Sequence, residues 1–311
     1  MEYGFGVDLG GTTVKIAFFS RQGEMLHKWE IPTRTENKGA QILPDIAAAI
    51  ENFMAQKQIA KQDVLGIGIG VPGAVDNAGV VAGCDNLGWG IFNVAETFSA
   101  LTGLPVKAGN DASVAALGEC WKGSGAGFRN MLLVTLGTGV GGGIVVDGKI
   151  VLGASGAAGE IGHMVINKEE TESCGCGKKG CVEQYCSATG IVRLAKRYLA
   201  SSDTPSPLRD FQILTCKDVF DAANAGDAAA TAVLEQVYAY MGEFIANICN
   251  VLNPEAVVIG GGVSKAGQPL LDGIQLHFDK YIYHASTNVT FAIAALGNDA
   301  GAYGAVKMIL E

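Results

Sequence analysis

Apolar positions change period along the chain, and the changes mark out elements. Residues 3–8, 14–19 and 25–31 are short apolar runs separated by polar turns, the pattern of three successive strands in a meander. Between residues 40 and 57 the spacing lengthens. Ile42, Ile46, Ile50 and Phe53 fall on one helical face, and Pro44 fits such a helix only in its first turn. Val64–Gly70 predicts a short buried strand that ends at Pro72-Gly73. A helix over 92–102 and a strand over Pro105–Gly109 follow, with Asn110 and Asp111 at the junction before a helix over Ala112–Trp121.

The pattern restarts at Met131. Strands are predicted at 131–135, 143–146 and 149–152, then a cysteine-rich insert over 163–186. Leu234, Val237, Met241, Phe244 or Ile245, Ile248 and Leu252 make the apolar stripe of a long helix over 227–252, stopped by Asn253-Pro254. A strand over 256–259 leads into Gly260-Gly261-Gly262, and a last helix runs from about Asn298 to Glu311. Ser201-Ser202, Pro205 and Pro207 make 201–215 a surface loop. The layout predicts an α/β protein of two similar domains. One is small, residues 1–110 plus the final helix at about 299–311. The other is larger, residues 111–298, and carries the 163–186 loop.

The turns between the first strands of each half carry candidate chemistry. Residues 5–13 read Phe-Gly-Val-Asp-Leu-Gly-Gly-Thr-Thr, and residues 132–143 read Leu-Leu-Val-Thr-Leu-Gly-Thr-Gly-Val-Gly-Gly-Gly. Each is an apolar run, a glycine- and threonine-rich turn, then a second apolar run. Exposed N–H groups at such turns cradle anions, and glycine lets a ligand approach closely. Two cradles and the cluster at Gly260–Gly262 point to a nucleoside triphosphate held between two similar halves. They are not P-loops, since no Gly-Lys-Ser or Gly-Lys-Thr follows, nor a dinucleotide fingerprint, since each turn leads to a strand rather than a helix.

Composition narrows the class. The chain has 311 residues, 49% of them apolar, enough for a sizeable core. Its net charge of −9 makes nucleic acid and anionic membrane poor partners. No basic, apolar leader opens the chain and no apolar run reaches spanning length, so a cytoplasmic protein is expected. The 8 cysteines are then expected as thiols or metal ligands rather than disulfides. Cys174, Cys176 and Cys181, spaced by glycines, with His163 ahead of them, form a candidate tetrahedral zinc site. Cys186 is the rival fourth ligand.

Taken together, these residues resemble a sugar kinase of the ROK family (repressor, open reading frame, kinase), within the actin-like ATPase superfamily and its ribonuclease H-like fold. The likeness is greatest to glucokinases of the Gram-positive type. It rests on Asp8–Thr12, Gly70–Gly73, Asn86–Trp89, Asn110–Ala112, Leu136–Gly143, Gly159–His163, Cys174–Glu183 and Gly260–Val263. Ser113 departs from the family's usual asparagine.

The resemblance implies ATP-dependent phosphorylation of glucose at its 6-hydroxyl, with Asp111 as general base. Gly73, Asn110, Asp111, Glu160, His163 and Glu183 would bind the sugar. Asp8, Gly10, Gly11, Thr12, Gly137, Thr138, Gly139, Gly260, Gly261 and Gly262 would bind ATP and Mg²⁺, with Asp8 toward the metal. His163, Cys174, Cys176 and Cys181 would hold a structural Zn²⁺, and the protein would be a homodimer. Asn298-Asp299-Ala300 repeats the Asn110-Asp111-Ala112 tripeptide, and the resemblance assigns catalysis to Asp111 and a helix cap to Asp299. The alternatives are a kinase for N-acetylmannosamine, allose, fructose or another hexose, or a non-catalytic sugar-sensing regulator. A repressor would need a helix-turn-helix segment before the first turn, and none is expected because that hairpin begins at residue 5.

Overall fold

The computed structural model describes residues 2–310. β1 (Tyr3–Leu9), β2 (Thr13–Ser20) and β3 (Met25–Pro32) form the predicted meander, each strand antiparallel to the next. A kinked turn, α1 (Glu36–Gly39), precedes α2 (Ile42–Lys57), with Pro44 in its first turn. The helix starts later than residue 40 because Asn37, Lys38 and Gly39 take positive φ. β4 (Val64–Val71) is followed by a small hairpin, β5 (Val80–Val81) with β6 (Phe92–Asn93). The segment 92–93 is therefore strand, and α3 (Val94–Thr102) begins after it with Asn93 as its cap. β7 (Val106–Asn110) and α4 (Asp111–Lys122) complete the first half. The strand order is β3-β2-β1-β4-β7, with β4 parallel to both β1 and β7.

The second half opens with β8 (Met131–Leu136), β9 (Val140–Val146) and the short β10 (Lys149–Ile150). After the cysteine loop come α5 (Glu183–Cys186), α6 (Ala188–Ser201), α7 (Cys216–Asn224) and α8 (Ala228–Leu252). β11 (Ala256–Gly260), α9 (Gln268–Phe278), β12 (Thr290–Ile293) and α10 (Ala300–Leu310) finish the chain. Its sheet has the order β10-β9-β8-β11-β12, with β11 parallel to β8 and β12. The same strand order thus occurs twice. The expected end of the last helix at Glu311 lies outside the described residues. None of the described helices is long and apolar enough to cross a membrane.

The chain divides into two compact units, Met1–Arg129 with Gly143–Gly159 and Ala295–Glu311, and Asn130–Gly142 with Glu160–Ala294. In this division α4 and residues 143–159 go with the first unit, whereas the sequence pattern places residues 111–298 together. The reason is the packing of α10. One face of the first sheet is covered by α2, with Phe5, Val7, Ile16, Ile46 and Ile50 fully buried. The other face takes α10 at very close range. A Cβ on Gly68 of β4 would lie 1.7 Å from the carbonyl oxygen of Ala305. A Cβ on Gly304 of α10 would lie 1.7 Å from the carbonyl oxygen of Val114 in α4. Sheet, α10 and α4 therefore touch backbone to backbone and form one body. In the second unit the stripe of α8 is core, with Val237, Met241, Phe244, Ile245 and Ile248 buried, and β11 is buried along its whole length.

A methyl group in the α10 seat has nowhere to go, because its neighbour is backbone. Gly68→Ala is expected to destabilise the protein by about 3 kcal/mol, the upper part of the overpacking range. Gly90→Ala, where nothing lies within 4 Å, should stay within about 0.5 kcal/mol of the parent. Urea midpoints of the two variants check the contrast.

Candidate active site

In the first unit the glycine turn joins β1 to β2, and Asp8 and Lys15 face each other across the hairpin register. Lys15 Nζ lies 3.5 Å from Asp8 Oδ2 and donates to the carbonyl of Asn298 at 3.3 Å. Burial pushes the Asp8 carboxyl up from its ordinary value, and the Lys15 ammonium pulls it back. Gly301 at the start of α10 packs on this carboxylate, and a Cβ there would lie 2.7 Å from Asp8 Cγ. Gly11 is different. Nothing lies within 4 Å of where its Cβ would be, so packing does not explain the glycine, and the turn is left open to a close approach. Lys15 went unremarked in the sequence. Its signal was its position, as far after the turn as Asp8 is before it.

Asn110 and Asp111 stand where β7 passes into α4. The helix cap is Asn110, whose Oδ1 accepts from the Ser113 N–H at 3.0 Å. Its Nδ2 donates to the Gly73 carbonyl at 3.0 Å and to Asp111 Oδ1 at 3.1 Å. Asp111 Oδ1 also accepts the Ala112 N–H at 2.8 Å. Capping thus belongs to Asn110, and Asp111 is the first residue of the helix with one carboxylate oxygen pinned. Gly73, Asn110 and Asp111 are brought together, as the sequence suggested. The repeated tripeptide has another fate. Asp299 takes the Lys28 ammonium at 2.8 and 3.1 Å, so its carboxylate serves an ion pair instead of the expected cap.

In the second unit the turn Gly137–Gly139 joins β8 to β9. Gly137, like Gly11, has nothing within 4 Å of its Cβ position. Gly139 is bounded by Glu183, whose Oε2 accepts the Val140 N–H at 3.1 Å and would lie 2.2 Å from a Cβ at 139. Glu183 Oε1 lies 3.7 Å from Cys174 Sγ. Cys174 Sγ is 3.8 Å from His163 Nδ1, and His163 Nε2 is 4.0 Å from Glu160 Oε2. Glu160, His163 and Glu183 therefore form one chain of contacts that runs through the cysteine loop.

The ligand atoms of His163, Cys174, Cys176 and Cys181 all lie within 4.8 Å of one another. A tetrahedral zinc with sulfur at about 2.3 Å and nitrogen at about 2.0 Å sets S···S near 3.8 Å and S···N near 3.6 Å. The cluster has Cys176 Sγ to Cys181 Sγ at 3.6 Å and Cys174 Sγ to His163 Nδ1 at 3.8 Å. These four residues fit the ion. Cys186 is fully buried on α5, burial pushes its thiol well up, and it stands outside the cluster.

What braces this loop is not legible in the sequence. Glu170 is buried and accepts from Arg197 at 2.9 and 3.0 Å, from Tyr185 Oη at 2.6 Å and from Arg193. Arg197 foremost holds the Glu170 carboxyl far below the usual carboxylate range, and burial with Glu170 pushes the Tyr185 phenol up to about 12. Three glutamates close together in a loop, Glu169, Glu170 and Glu172, give no hint that two arginines on α6 reach back and that Glu170 is the buried one. A cavity of 570 Å³ also lies in this unit, lined by Lys217 and Phe220 of α7, Asn224, and Gly262, Val263 and Lys265. Gly262 has nothing within 4 Å of its Cβ position. Gly260 and Gly261 lead into this wall from the end of β11.

The chain is similar to known proteins along nearly its whole length. The chain is 47% identical to a glucokinase of Halalkalibacterium halodurans over 96% of this chain and 92% of that one. It is 34% identical to a glucokinase of Thermotoga maritima, covering 98% of this chain and 96% of that one. A crystal structure of a ROK family glucokinase from Streptomyces griseus in complex with glucose and AMPPNP is similar, with a TM-score of 0.77 and 31% identity over 98% of each chain. The sequence pattern of the ROK family matches residues 4–311, and the chain belongs to that family.

Proposed function

We propose that the protein is an ATP-dependent glucokinase that transfers the γ-phosphoryl group of ATP to the 6-hydroxyl of glucose. The observation that carries this reading is the Asn110–Asp111 pair, pinned at the start of α4 and tied to Gly73, in a chain similar to glucokinases over nearly its full length. Asp111 is the general base. It takes the proton from the 6-hydroxyl as that oxygen bonds to the γ-phosphorus and the bond to the ADP oxygen breaks. The transition state is loose, so positioning and charge neutralisation do most of the work.

Gly73, Asn110, Glu160, His163 and Glu183 are the residues we assign to the sugar hydroxyls. Carboxylates suit this because each accepts from two vicinal hydroxyls. Gly10, Gly11 and Thr12, with Gly137, Thr138 and Gly139, offer backbone amides to the phosphates. The adenosine fits the cavity beside Gly260–Gly262, where Phe220 supplies an apolar face. Asp8 would hold Mg²⁺, which neutralises phosphate charge when bound. Lys15, 3.5 Å away, pairs with the same carboxylate. His163, Cys174, Cys176 and Cys181 would hold Zn²⁺, which would fix His163 and the loop leading to Glu183. With four protein ligands its part would be structural.

ADP release with MgATP across glucose, mannose, fructose, allose, N-acetylglucosamine and N-acetylmannosamine tests the substrate. Glucose should be preferred, and preference for another sugar overturns the glucose assignment while leaving the kinase reading in place. Asp111→Ala should lower kcat by about 10²–10⁴-fold, the usual contribution of a positioned base, and still bind glucose by calorimetry. Turnover near that of the parent would remove Asp111 from its role. Elemental analysis should find stoichiometric zinc in the parent, and Cys176→Ser should lose both the metal and much of the glucose affinity. Unaltered glucose binding in that variant would sever the loop from the sugar site.

A further inference from the structure

The two glycine turns are held from behind in the same way, although the elements doing the holding differ. In the first unit Thr33, at the end of β3, donates its Oγ1–H to the Gly10 carbonyl at 2.7 Å and its N–H to the Thr12 carbonyl at 2.9 Å. In the second unit Thr189, in the first turn of α6, donates its Oγ1–H to the Thr138 carbonyl at 2.8 Å. The Ala188 N–H beside it donates to the Gly137 carbonyl at 2.8 Å. Each turn thus has two of its carbonyls drawn to one side by a threonine and its neighbouring backbone.

A trans peptide points its carbonyl and the following N–H in opposite directions. Fixing the Gly10 carbonyl toward Thr33 therefore aims the Gly11 N–H the other way. Fixing the Gly137 and Thr138 carbonyls toward α6 aims the Thr138 and Gly139 N–H groups away from it. The turns also close on themselves alike, through Gly10 N–H to Thr13 O at 3.1 Å and Gly137 N–H to Gly139 O at 2.9 Å. Gly11 and Gly137 each have nothing within 4 Å of where a Cβ would be, so neither turn is crowded at those residues.

We propose that Thr33 and Thr189 are positioning residues for phosphoryl transfer, each presetting the amide donors of one phosphate turn by holding its carbonyls. This deepens the kinase reading and rests on it. Neither threonine touches a sugar ligand or the zinc cluster directly, although Thr189 Oγ1 lies 3.0 Å from Ser187 Oγ, which donates to the Glu183 carbonyl at 2.7 Å, so the effect should fall first on the nucleotide, and most cleanly at Thr33. A preset cradle binds charge without first having to reorganise. Freed carbonyls would let the peptides rotate and lose the aimed N–H groups.

The test replaces each hydroxyl by a methyl group of the same shape, Thr33→Val and Thr189→Val, with Thr33→Ser and Thr189→Ser as conservative partners. Loss of one hydrogen bond corresponds to about tenfold in an equilibrium or rate. Each valine variant should therefore lose about that factor in kcat/KM for MgATP, with glucose affinity by calorimetry held within about twofold. The serine variants should recover the parent value. Valine variants that keep the parent's kcat/KM for MgATP overturn the proposal. So does a loss shared equally by glucose binding and MgATP, or one that serine fails to restore, because each marks a general structural defect. Failure of the parent itself to turn over MgATP with any sugar would instead sink the kinase reading.

Discussion

The close seating of α10 is the constraint on which the first unit depends. Its backbone meets β4 at Gly68 and α4 at Val114, with no side chain between them on the glycine sides. Dispersion forces act only at contact, so such packing leaves little slack. The helix begins against the Asp8 carboxylate and lies along α4, which starts at Asp111. The residue assigned to the metal and the residue assigned to the proton are thereby set by one rigid body. The buried Glu119 on α4 adds to this, accepting from the backbone N–H groups of Ser124, Ala295 and Leu296. It fixes the chain just before α10 to the same helix that carries Asp111.

In the second unit the cysteine loop plays the corresponding part by different means. A loop rich in glycine and charge has too few apolar side chains to order itself. Here order comes from four convergent metal-ligating atoms and from Glu170 buried between two arginines and a tyrosine. The loop then runs straight into Glu183, Ser187 and α6. One covalent stretch carries Glu183, the Ser187 cap of a helix and the Thr189 hydroxyl that bonds the Thr138 carbonyl.

Much of this was legible in the sequence, and what was missed has physical causes. The meander, α2, α8 and the buried strands showed because their periodicity is driven by burial on one face or both. The glycine turns and the cysteine spacing showed because their residue types have few other uses. α9 opens on a proline in its first turn and carries Gly273, and β12 is only four residues long, so neither gave a clear pattern, whereas the stripe of α6 at Ile191, Leu194 and Ala195 was there to be read. Lys15, Thr33, Glu170 and Thr189 act through partners far away in sequence or across a hairpin. An ordinary polar residue reveals such a role only when its partner is known. The grouping of α4 was hidden for the same reason, since it depends on a helix that closes the chain.

The contact between Gly139 and Glu183 has a consequence for how such a chain can change over time. The carboxylate sits where any side chain at position 139 would have to go, and the same carboxylate takes the Val140 N–H. A substitution at 139 must therefore push the end of Glu183 aside and disturb its bond to that amide, while shortening Glu183 first opens the space at the expense of the residue proposed to hold the sugar. The two positions are bound into a single heritable unit, and the order in which they can drift is set by a gap smaller than a methyl group.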